Sequence, residues 1–216
     1  NLSAAQINRL LNELKRLERF RKTNRILEIG PGKGWFLEQA NKLGWETWAV
    51  EVNLKAIDRL GEIGIYRVLA ESADCFNVPE QHFDVVRMWD VIEHLQSPAK
   101  ALNLFHISLR SGGIIRLSTT NFASLSRMVN GPEWVYINGA DHITLFEPRT
   151  ISLALKRAGF SGIRISTRSF NLRKKLYHPE QELKKAPLLL RPIRKLIAET
   201  IRFTRFGHQM IVEATK

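Results

Sequence analysis

Residues 26–34 read ILEIGPGKG, a short apolar run that is interrupted by one carboxylate and then by three glycines. The glycines, Gly30, Gly32 and Gly34, are spaced two residues apart, and each gives up a side chain and some backbone rigidity. Such a loss is expected where the chain must turn tightly and let a ligand lie directly on the backbone. The stretch therefore predicts a buried strand that ends at a ligand-binding turn, followed by a helix.

Predicted strands and helices alternate along most of the chain. The predicted strands are 26–30, 45–52, 65–69, 83–89, 112–120, 160–168 and 208–214, and the predicted helices are 2–22, 34–43, 53–61, 98–109 and 149–158. This alternation favours an α/β fold in which a parallel sheet is wrapped by helices on both faces. In such folds the ligand lies beyond the carboxyl ends of the strands, which is where the glycine turn would be. Residues 121–147 and 170–206 do not fit the alternation.

The acidic residue that ends the second predicted strand narrows the choice of ligand. Glu51 follows Gly30 by 21 residues, and a carboxylate at this position suits hydrogen bonds to a ribose diol. The dinucleotide fingerprint is G-x-G-x-x-G, whereas this chain has G-x-G-x-G with Glu28 two residues before the first glycine. That carboxylate would repel a pyrophosphate but attract the ammonium and sulfonium of S-adenosylmethionine. The pattern therefore disfavours a nicotinamide oxidoreductase and favours an S-adenosylmethionine-binding protein.

Four segments, in order along the chain, resemble one family. EIGPGKG (28–34) resembles motif I of class I S-adenosylmethionine-dependent methyltransferases, and ESADCFNVPEQHFDVV (71–86) resembles their adenine-binding segment. WDVIEHLQSP (89–98) resembles the segment after the fourth strand in O-methyltransferases of the ubiquinone-biosynthesis type. NFASLSRMVNGPEW and DHITLFEPRTI, both within 121–151, resemble the methyltransferase type 23 subfamily. The resemblance implies a Rossmann-like, doubly wound, seven-stranded sheet that is mostly parallel, with an antiparallel last strand.

The resemblance covers 24–168 and 207–216. It implies which residues bind the cofactor, and it implies that S-adenosylhomocysteine is the product. The matching positions are Glu28, Gly30, Gly32 and Gly34 for the methionine-end loop, Glu51 for the ribose, Ser72, Ala73 and Asp74 for the adenine segment, and Trp89 and Asp90 beside the methionine moiety. The usual acidic first residue of the adenine segment is Ser72 here. This departure leaves the adenine contact to Asp74 or to the backbone amide of Ala73.

Two histidines are candidates for the base in a methyl transfer. In the subfamily that the chain resembles, the residue matching His142 tends to face the substrate, and His94 lies in the segment after the fourth strand. A histidine with a pKa near neutrality can take a proton from a hydroxyl as the methyl transfers. The resemblance therefore implies in-line transfer to a small-molecule acceptor, through a hydroxyl, with His142 or His94 as the base.

A metal ion is not predicted, although one segment raises the question. Asp90, Glu93 and His94 have the i, i+3, i+4 spacing of one helix face. In O-methyltransferases of the ubiquinone-biosynthesis type the matching positions have been linked to a divalent cation. The same segment also occurs widely without a metal, in which case His94 would pack or cap a turn.

The composition is that of an ordinary globular domain. The 216 residues are 44% hydrophobic and 25% charged, and they contain no apolar run long enough for a membrane-spanning helix. The single cysteine, Cys75, excludes an internal disulfide and fits a reducing cytosol. We expect one cytoplasmic methyltransferase domain over 1–216, with an N-terminal helix at 2–22, a lid at 121–147 and a basic amphipathic insertion at 170–206.

The net charge of +12 is concentrated in two flanking parts of the chain. Residues 1–25 contain seven Lys/Arg against two Glu, and residues 164–206 contain twelve against three, whereas residues 26–163 contain thirteen Lys/Arg against fifteen Asp/Glu. In 187–206, apolar and basic residues interleave at helical spacing. This pattern is typical both of a helix on an anionic membrane and of a helix packed on its own domain with a solvated basic face. Peripheral contact with the inner face of a membrane therefore stays open.

Two other functions stay open. An RNA methyltransferase would use the basic flanks to bind phosphates. The chain has WDVIEH where amine-methylating enzymes carry a DPPY-like motif, however, so nucleic acid is a disfavoured partner. A non-catalytic S-adenosylmethionine-binding protein would keep the fold without turnover. The sequence predicts neither the acceptor nor the oligomeric state.

Overall fold

The structure, a computed structural model, describes residues 2–137, 141–168 and 205–216. The strands are β1 (Arg25–Ile29), β2 (Glu46–Val50), β3 (Arg67–Leu69), β4 (Phe83–Trp89), β5 (Leu109–Thr120), β6 (Ser161–Arg168) and β7 (Gln209–Thr215). The helices are α1 (Ala4–Leu17), α2 (Trp35–Lys42), α3 (Leu54–Glu62), α4 (Pro98–Ser108), α5 (Leu125–Asn130) and α6 (Pro148–Arg157). Among these described helices, none combines the length and the apolar composition that spanning a bilayer requires.

The seven strands form one sheet with the doubly wound order. The order is β3-β2-β1-β4-β5-β7-β6. The first five strands of the chain all run parallel to one another, and β7 runs antiparallel to both of its neighbours, β5 and β6. The chain starts in the middle at β1, moves out to β3 and returns to β4 beside β1. This reversal leaves a crevice beyond the carboxyl ends of β1 and β4, where folds of this kind bind their ligands. The predicted fold class is confirmed.

The first helix is shorter than predicted, and a buried aspartate fixes the backbone that follows it. The helix predicted for 2–22 begins after Ser3, which caps it, and ends at Leu17, where one 3₁₀ turn follows. The buried Asp84 carboxylate then accepts hydrogen bonds from the backbone amides of residues 22 to 24, at 2.8–2.9 Å. Because these three amides bond to β4, they cannot continue the helical hydrogen-bond ladder.

Three further segments differ from the prediction or lie outside the description. β3 has only three residues, and it is an edge strand that pairs with β2 alone. β5 begins at Leu109 rather than at 112, because Leu109 pairs with Phe83 before a break in the register. The predicted insertion at 170–206 lies outside the described residues except for Arg205 and Phe206.

Each face of the sheet carries its own apolar core. On one face, Leu27 of β1 joins buried residues of α4 and α6. On the other face, Ile26 packs with Leu14 of α1 and Leu37 of α2. Burying a large apolar side chain stabilises the fold by about 1.5–3 kcal/mol. The two cores therefore hold the strand ends in fixed positions, and the loops that follow β1, β2 and β4 start from a rigid base.

The face under α1 also carries a row of charges, which are buried except for the half-buried Glu213. Glu28 of β1, Arg87 of β4, Arg116 of β5 and Glu213 of β7 are successive register neighbours. The Glu13 carboxylate of α1 accepts hydrogen bonds from Nε of Arg87 at 3.0 Å and from Nε of Arg116 at 3.1 Å. Arg87 also pairs with Glu28, and Arg116 with Glu213. Burial raises the pKa of Glu13, but the two guanidiniums outweigh burial and hold that pKa below its ordinary value. An ionised carboxylate therefore ties α1 to the sheet.

Replacing Glu13 with alanine would leave Arg87 and Arg116 buried with one carboxylate fewer. We expect Glu13→Ala to lower the free energy of unfolding by about 3 kcal/mol, as for other broken buried ion pairs. Lys15→Ala, at an exposed position of the same helix, should change it by less than about 0.5 kcal/mol. Urea unfolding followed by circular dichroism measures both. Equal effects of the two substitutions would show that the bridge does not stabilise the fold.

Candidate active site

The turn after β1 has the backbone geometry that its glycines predict. Gly30, Gly32 and Gly34 have φ values of +62°, +53° and +70°, a region that is costly for residues with a side chain. A Cβ added to Gly30 would lie 2.7 Å from Cγ2 of Val91. Gly34 directly precedes α2, so the unpaired amides at the start of that helix lie at the turn.

Glu51, directly after β2, is buried and holds this turn in place. Its carboxylate accepts hydrogen bonds from the amide of Gly32 at 3.1 Å and from the amides of Val52 and Asn53 at 2.9 Å. One side chain therefore joins the turn after β1 to the loop before α3. Three bonds do not exhaust the lone pairs of a carboxylate, which can still accept from a further donor.

A cavity of about 520 Å³ opens beside Glu51. Residues from four segments line it, among them Gly30, Glu51, Ser72, Ala73, Asp74 and His94. The Ser72 hydroxyl donates to Oδ1 of Asp74 at 2.6 Å, and Ala73 is buried. The structure thus brings the three residues of the predicted adenine segment next to the predicted ribose residue. We call this space the Glu51 cavity.

A second cavity, of about 420 Å³, shares Gly30 with the first and is called the Glu28 cavity. Glu28 and Trp89, two predicted site residues, line it together with Lys33. Glu28 pairs with Arg87 through one oxygen, while its buried Oε2 has no hydrogen-bond partner among the residues described. Burial raises the pKa of Glu28 to about 7, although the charge of Arg87 opposes the shift. A cationic group of a ligand would satisfy this acceptor.

Asp90, which follows β4, is held in a strained conformation. Its φ of +52° lies in a region that few residues with side chains occupy. The Asp90 carboxylate accepts hydrogen bonds from the Ser118 hydroxyl at 2.6 Å and from Nε2 of Gln209 at 2.9 and 3.0 Å. Oε1 of Gln209 in turn accepts from Nε of Arg168 at 2.8 Å. Side chains of β5, β6 and β7 together therefore fix the position of Asp90.

A third cavity, of about 400 Å³, contains both predicted histidines. Its lining comes from widely separated segments, namely Asp90, Glu93, His94, Thr120, Tyr136, Asp141, His142, His208 and Gln209. The rings of His94 and His142 lie edge to face at 4.8 Å, and Tyr136 stacks on His142 at 5.4 Å. Nδ1 of His94 is 2.6 Å from the carbonyl oxygen of Asp141. Because a carbonyl can only accept, Nδ1 carries the proton and Nε2 of a neutral His94 is an acceptor. We call this space the histidine cavity.

His142 has the properties of a neutral base. Burial, reinforced by the neighbouring His94, lowers the pKa of His142 below the ordinary 6.5. Its Nδ1 is buried without a hydrogen-bond partner in the part of the chain that the structure describes. His142 is therefore uncharged at neutral pH, with a ring nitrogen that a ligand can engage.

Glu93, which was not predicted as a site residue, is buried at the histidine cavity. It is 1% exposed, and neither of its carboxylate oxygens has a hydrogen-bond partner within the described ranges. Burial raises the pKa of Glu93 to about 7. Its backbone carbonyl accepts from the amides of Ile143 and Thr144 at 2.8 and 3.0 Å. This residue therefore ties the loop after β4 to the segment that carries His142.

Glu93, His94 and His142 could together bind a metal ion. Their ligand atoms lie within 4.8 Å of one another, and one carboxylate with two imidazoles is a donor set that zinc accepts. Asp90, which the sequence spacing groups with Glu93 and His94, is not part of this cluster. The sequence analysis predicts that this chain binds no metal ion, and that stays a prediction.

Six residues of the histidine cavity were not predicted as site residues: Glu93, Thr120, Tyr136, Asp141, His208 and Gln209. His208 and Gln209 reach the cavity because β7 is antiparallel, so that it begins at the edge where the parallel strands end. The one signal in the sequence was the expected antiparallel strand at 208–214. Tyr136 comes from the aromatic loop, where it packs against Trp134 at 5.0 Å, and no local spacing indicates which aromatic residue faces the cavity.

Comparisons with known proteins identify the family to which this fold belongs. A family model described as methyltransferase domain matches residues 3–165. A ubiquinone biosynthesis O-methyltransferase from Azoarcus sp. (strain BH72) is 25% identical over 166 residues, covering 71% of this chain and 71% of that one.

Solved structures share the fold. A SAM-dependent methyltransferase from Archaeoglobus fulgidus matches with a TM-score of 0.67 and 21% identity, covering 96% of this chain and 92% of that one. Phosphoethanolamine N-methyltransferase 2 from Haemonchus contortus, in complex with S-adenosyl-L-methionine, matches with a TM-score of 0.67 and 19% identity, covering 97% of this chain and 52% of that one. At these identities the likeness establishes the arrangement of strands and helices.

The buried carboxyl of Glu93 should make stability depend on pH. The folded chain keeps this proton to about pH 7, whereas an unperturbed carboxyl loses it near 4.5, so wild type should become less stable as pH rises between these values. The shift corresponds to about 3 kcal/mol. Glu93→Gln cannot ionise, and we expect it to be more stable than wild type by up to about 3 kcal/mol at pH 8 and by much less at pH 5.

Urea unfolding of both proteins at the two pH values, with a chelator present, measures this difference. Glu62→Gln, at an exposed position of α3, is the matched control and should give the same small difference at both pH values. A gain for Glu93→Gln that is equal at pH 5 and pH 8 would contradict the expectation.

Proposed function

Because this chain belongs to the methyltransferase-domain family, we propose that it transfers a methyl group from S-adenosylmethionine to a hydroxyl of a small-molecule acceptor. One observation supports the proposal most directly. The Glu51, Glu28 and histidine cavities are neighbours, since Gly30 lines the first two and His94 lines the first and the third. An extended cofactor and its acceptor can therefore meet beyond the carboxyl ends of β1 and β4.

The residues around the first two cavities fit this cofactor, which supplies a sulfonium-bound methyl group that is already activated for displacement. Glu51 would accept from the ribose hydroxyls, and the glycine turn would let the ligand lie on the backbone. The unpartnered Oε2 of Glu28 and the charge of Lys33 would complement the ammonium and the carboxylate of the methionine part. The remaining predicted contacts are Ser72, Ala73, Asp74, Trp89 and Asp90.

The histidine cavity suits an acceptor that must lose a proton. We take His142 as the first candidate for the base, because it is uncharged at neutral pH and its Nδ1 is unoccupied. His94 is the second candidate, through Nε2. A positioned general base contributes about 10²–10⁴-fold. Asp90 already accepts three hydrogen bonds, so its proposed role is to position the reacting groups.

A hydroxyl is proposed as the methyl acceptor because the curated relative is an O-methyltransferase. The Haemonchus contortus protein of the same fold is an N-methyltransferase, so the fold alone does not choose between oxygen and nitrogen. An acceptor panel that pairs hydroxylated compounds with their amine analogues addresses this choice directly.

The cofactor is tested by calorimetric titration with S-adenosylhomocysteine and, separately, with NAD. We expect wild type to bind only S-adenosylhomocysteine. Glu51→Gln should bind it at least tenfold more weakly, because charge-assisted hydrogen bonds contribute about 1.5–3 kcal/mol. Glutamine keeps one acceptor oxygen for the backbone amides, so this change disturbs the turn less than alanine would. Glu62→Gln should bind like wild type. Unchanged affinity of Glu51→Gln would remove Glu51 from the ribose site, and binding of NAD alone would replace the proposed cofactor.

The base is tested by His142→Ala. We expect kcat to fall at least tenfold while the affinity for S-adenosylhomocysteine stays unchanged, because His142 lines the histidine cavity and not the Glu51 cavity. In wild type, kcat should fall as pH is lowered through the depressed pKa of His142, below 6.5, because an imidazolium cannot accept a proton. The same measurements on His94→Ala decide between the two histidines. Cofactor binding without turnover on any acceptor would favour a non-catalytic binding protein.

A further inference from the structure

A fourth cavity, of about 470 Å³, takes no part in the proposed methyl transfer. It lies between α1 and the two outer strands, β6 and β7, on the face of the sheet that α1 covers. Four arginines line it, one from α1, one from β5 and two from β6: Arg16, Arg116, Arg164 and Arg168. Ser166 adds a hydroxyl, and Glu213 adds a carboxylate. We call this space the arginine cavity.

The positive charge of this cavity is not balanced within the described part of the chain. The one carboxylate that lines the cavity belongs to Glu213, and it already pairs with Arg116 and lies 4.0 Å from Arg19. Arg16 and Arg164 make no ion pair with any carboxylate of the described residues. The cavity therefore has at least two guanidiniums whose charge a bound anion would neutralise.

The guanidiniums come from elements of fixed geometry. Arg164, Ser166 and Arg168 alternate along β6 and therefore point to the same face of the strand. Arg116 is 6% exposed and is held by Glu13 and Glu213. Arg168 is held by Gln209 and by the ring of Trp89, 5.2 Å away. Arg116 and Arg168 are therefore held before a ligand binds, whereas Arg16 and Arg164 are exposed side chains that a bound anion would order.

We propose that the arginine cavity binds a small phosphate-bearing molecule. All four cations that line it are arginines, and the planar fork of a guanidinium matches two oxygens of a phosphate in a way that a lysine does not. A cavity of this volume accommodates one or two phosphate groups. Apart from Arg168, which also lines the Glu28 cavity, the lining residues of this site do not line the proposed cofactor and acceptor cavities. The inference does not depend on the methyl-transfer proposal.

Calorimetric titration of the full chain with pyrophosphate at low ionic strength tests the site. We expect saturable binding, and we expect Arg16→Gln/Arg164→Gln to weaken it at least tenfold. Arg149→Gln/Arg157→Gln is the charge-matched control: both residues are exposed on α6, which packs on the opposite face of the sheet, and this variant should bind like wild type. Arg168 is left unchanged because it also supports Gln209 and Asp90.

Three results would overturn the proposal. These are the absence of pyrophosphate binding by folded wild-type protein, an equal loss of binding in the two double variants, and binding of short RNA or anionic vesicles that pyrophosphate does not displace. Titration of each variant with S-adenosylhomocysteine runs in parallel and should give wild-type affinity. A failure of the arginine cavity is thereby distinguished from a failure of the cofactor site.

Discussion

The bridge from Glu13 to Arg87 and Arg116 is the interaction on which the α1 face of the sheet depends. The two guanidiniums are register neighbours on β4 and β5, and without carboxylates beside them they would be buried like charges. Glu28 and Glu213 pair with them from the sheet, and Glu13 spans both from above. Because the charges are buried, losing one partner costs far more than losing a surface pair. The same row lines two cavities, since Arg87 belongs to the Glu28 cavity and Arg116 to the arginine cavity.

The Glu51 turn and the histidine cavity are built on opposite principles. Glu51 already accepts three backbone hydrogen bonds, so the turn that it holds is organised before any ligand binds. Little conformational entropy is therefore lost on binding. Around the histidine cavity, by contrast, Glu93 and His142 bury polar atoms that no described residue satisfies. Each such atom costs about 1–3 kcal/mol. Native proteins keep costs of this kind chiefly at functional sites, which is why the histidine cavity is the better candidate for the chemistry.

The sequence allowed the fold class and the glycine turn to be predicted because both rest on local patterns. Strand–helix alternation and the interval from Gly30 to Glu51 are visible without knowing which strands are neighbours. Arg87 and Arg116 were not recognised as a pair, because each lies inside an apolar strand and only the β4–β5 register places them side by side. Gln209 was missed for the same reason, since its bond to Asp90 joins residues that are far apart in the chain. Tertiary pairing, which no local spacing encodes, decides the contents of the histidine cavity.

One side chain of the outer strands, Arg168, lies between the arginine cavity and the proposed methyl-transfer site. Arg168, at the end of β6, lines both the Glu28 cavity and the arginine cavity. Its Nε also holds Gln209, which bonds Asp90 at the border of the histidine cavity. An anion in the arginine cavity would attract the same guanidinium that fixes Gln209. Since Asp90 has a strained backbone that its neighbours must maintain, the charge in the outer cavity and the geometry of the proposed acceptor site are physically linked through a single side chain.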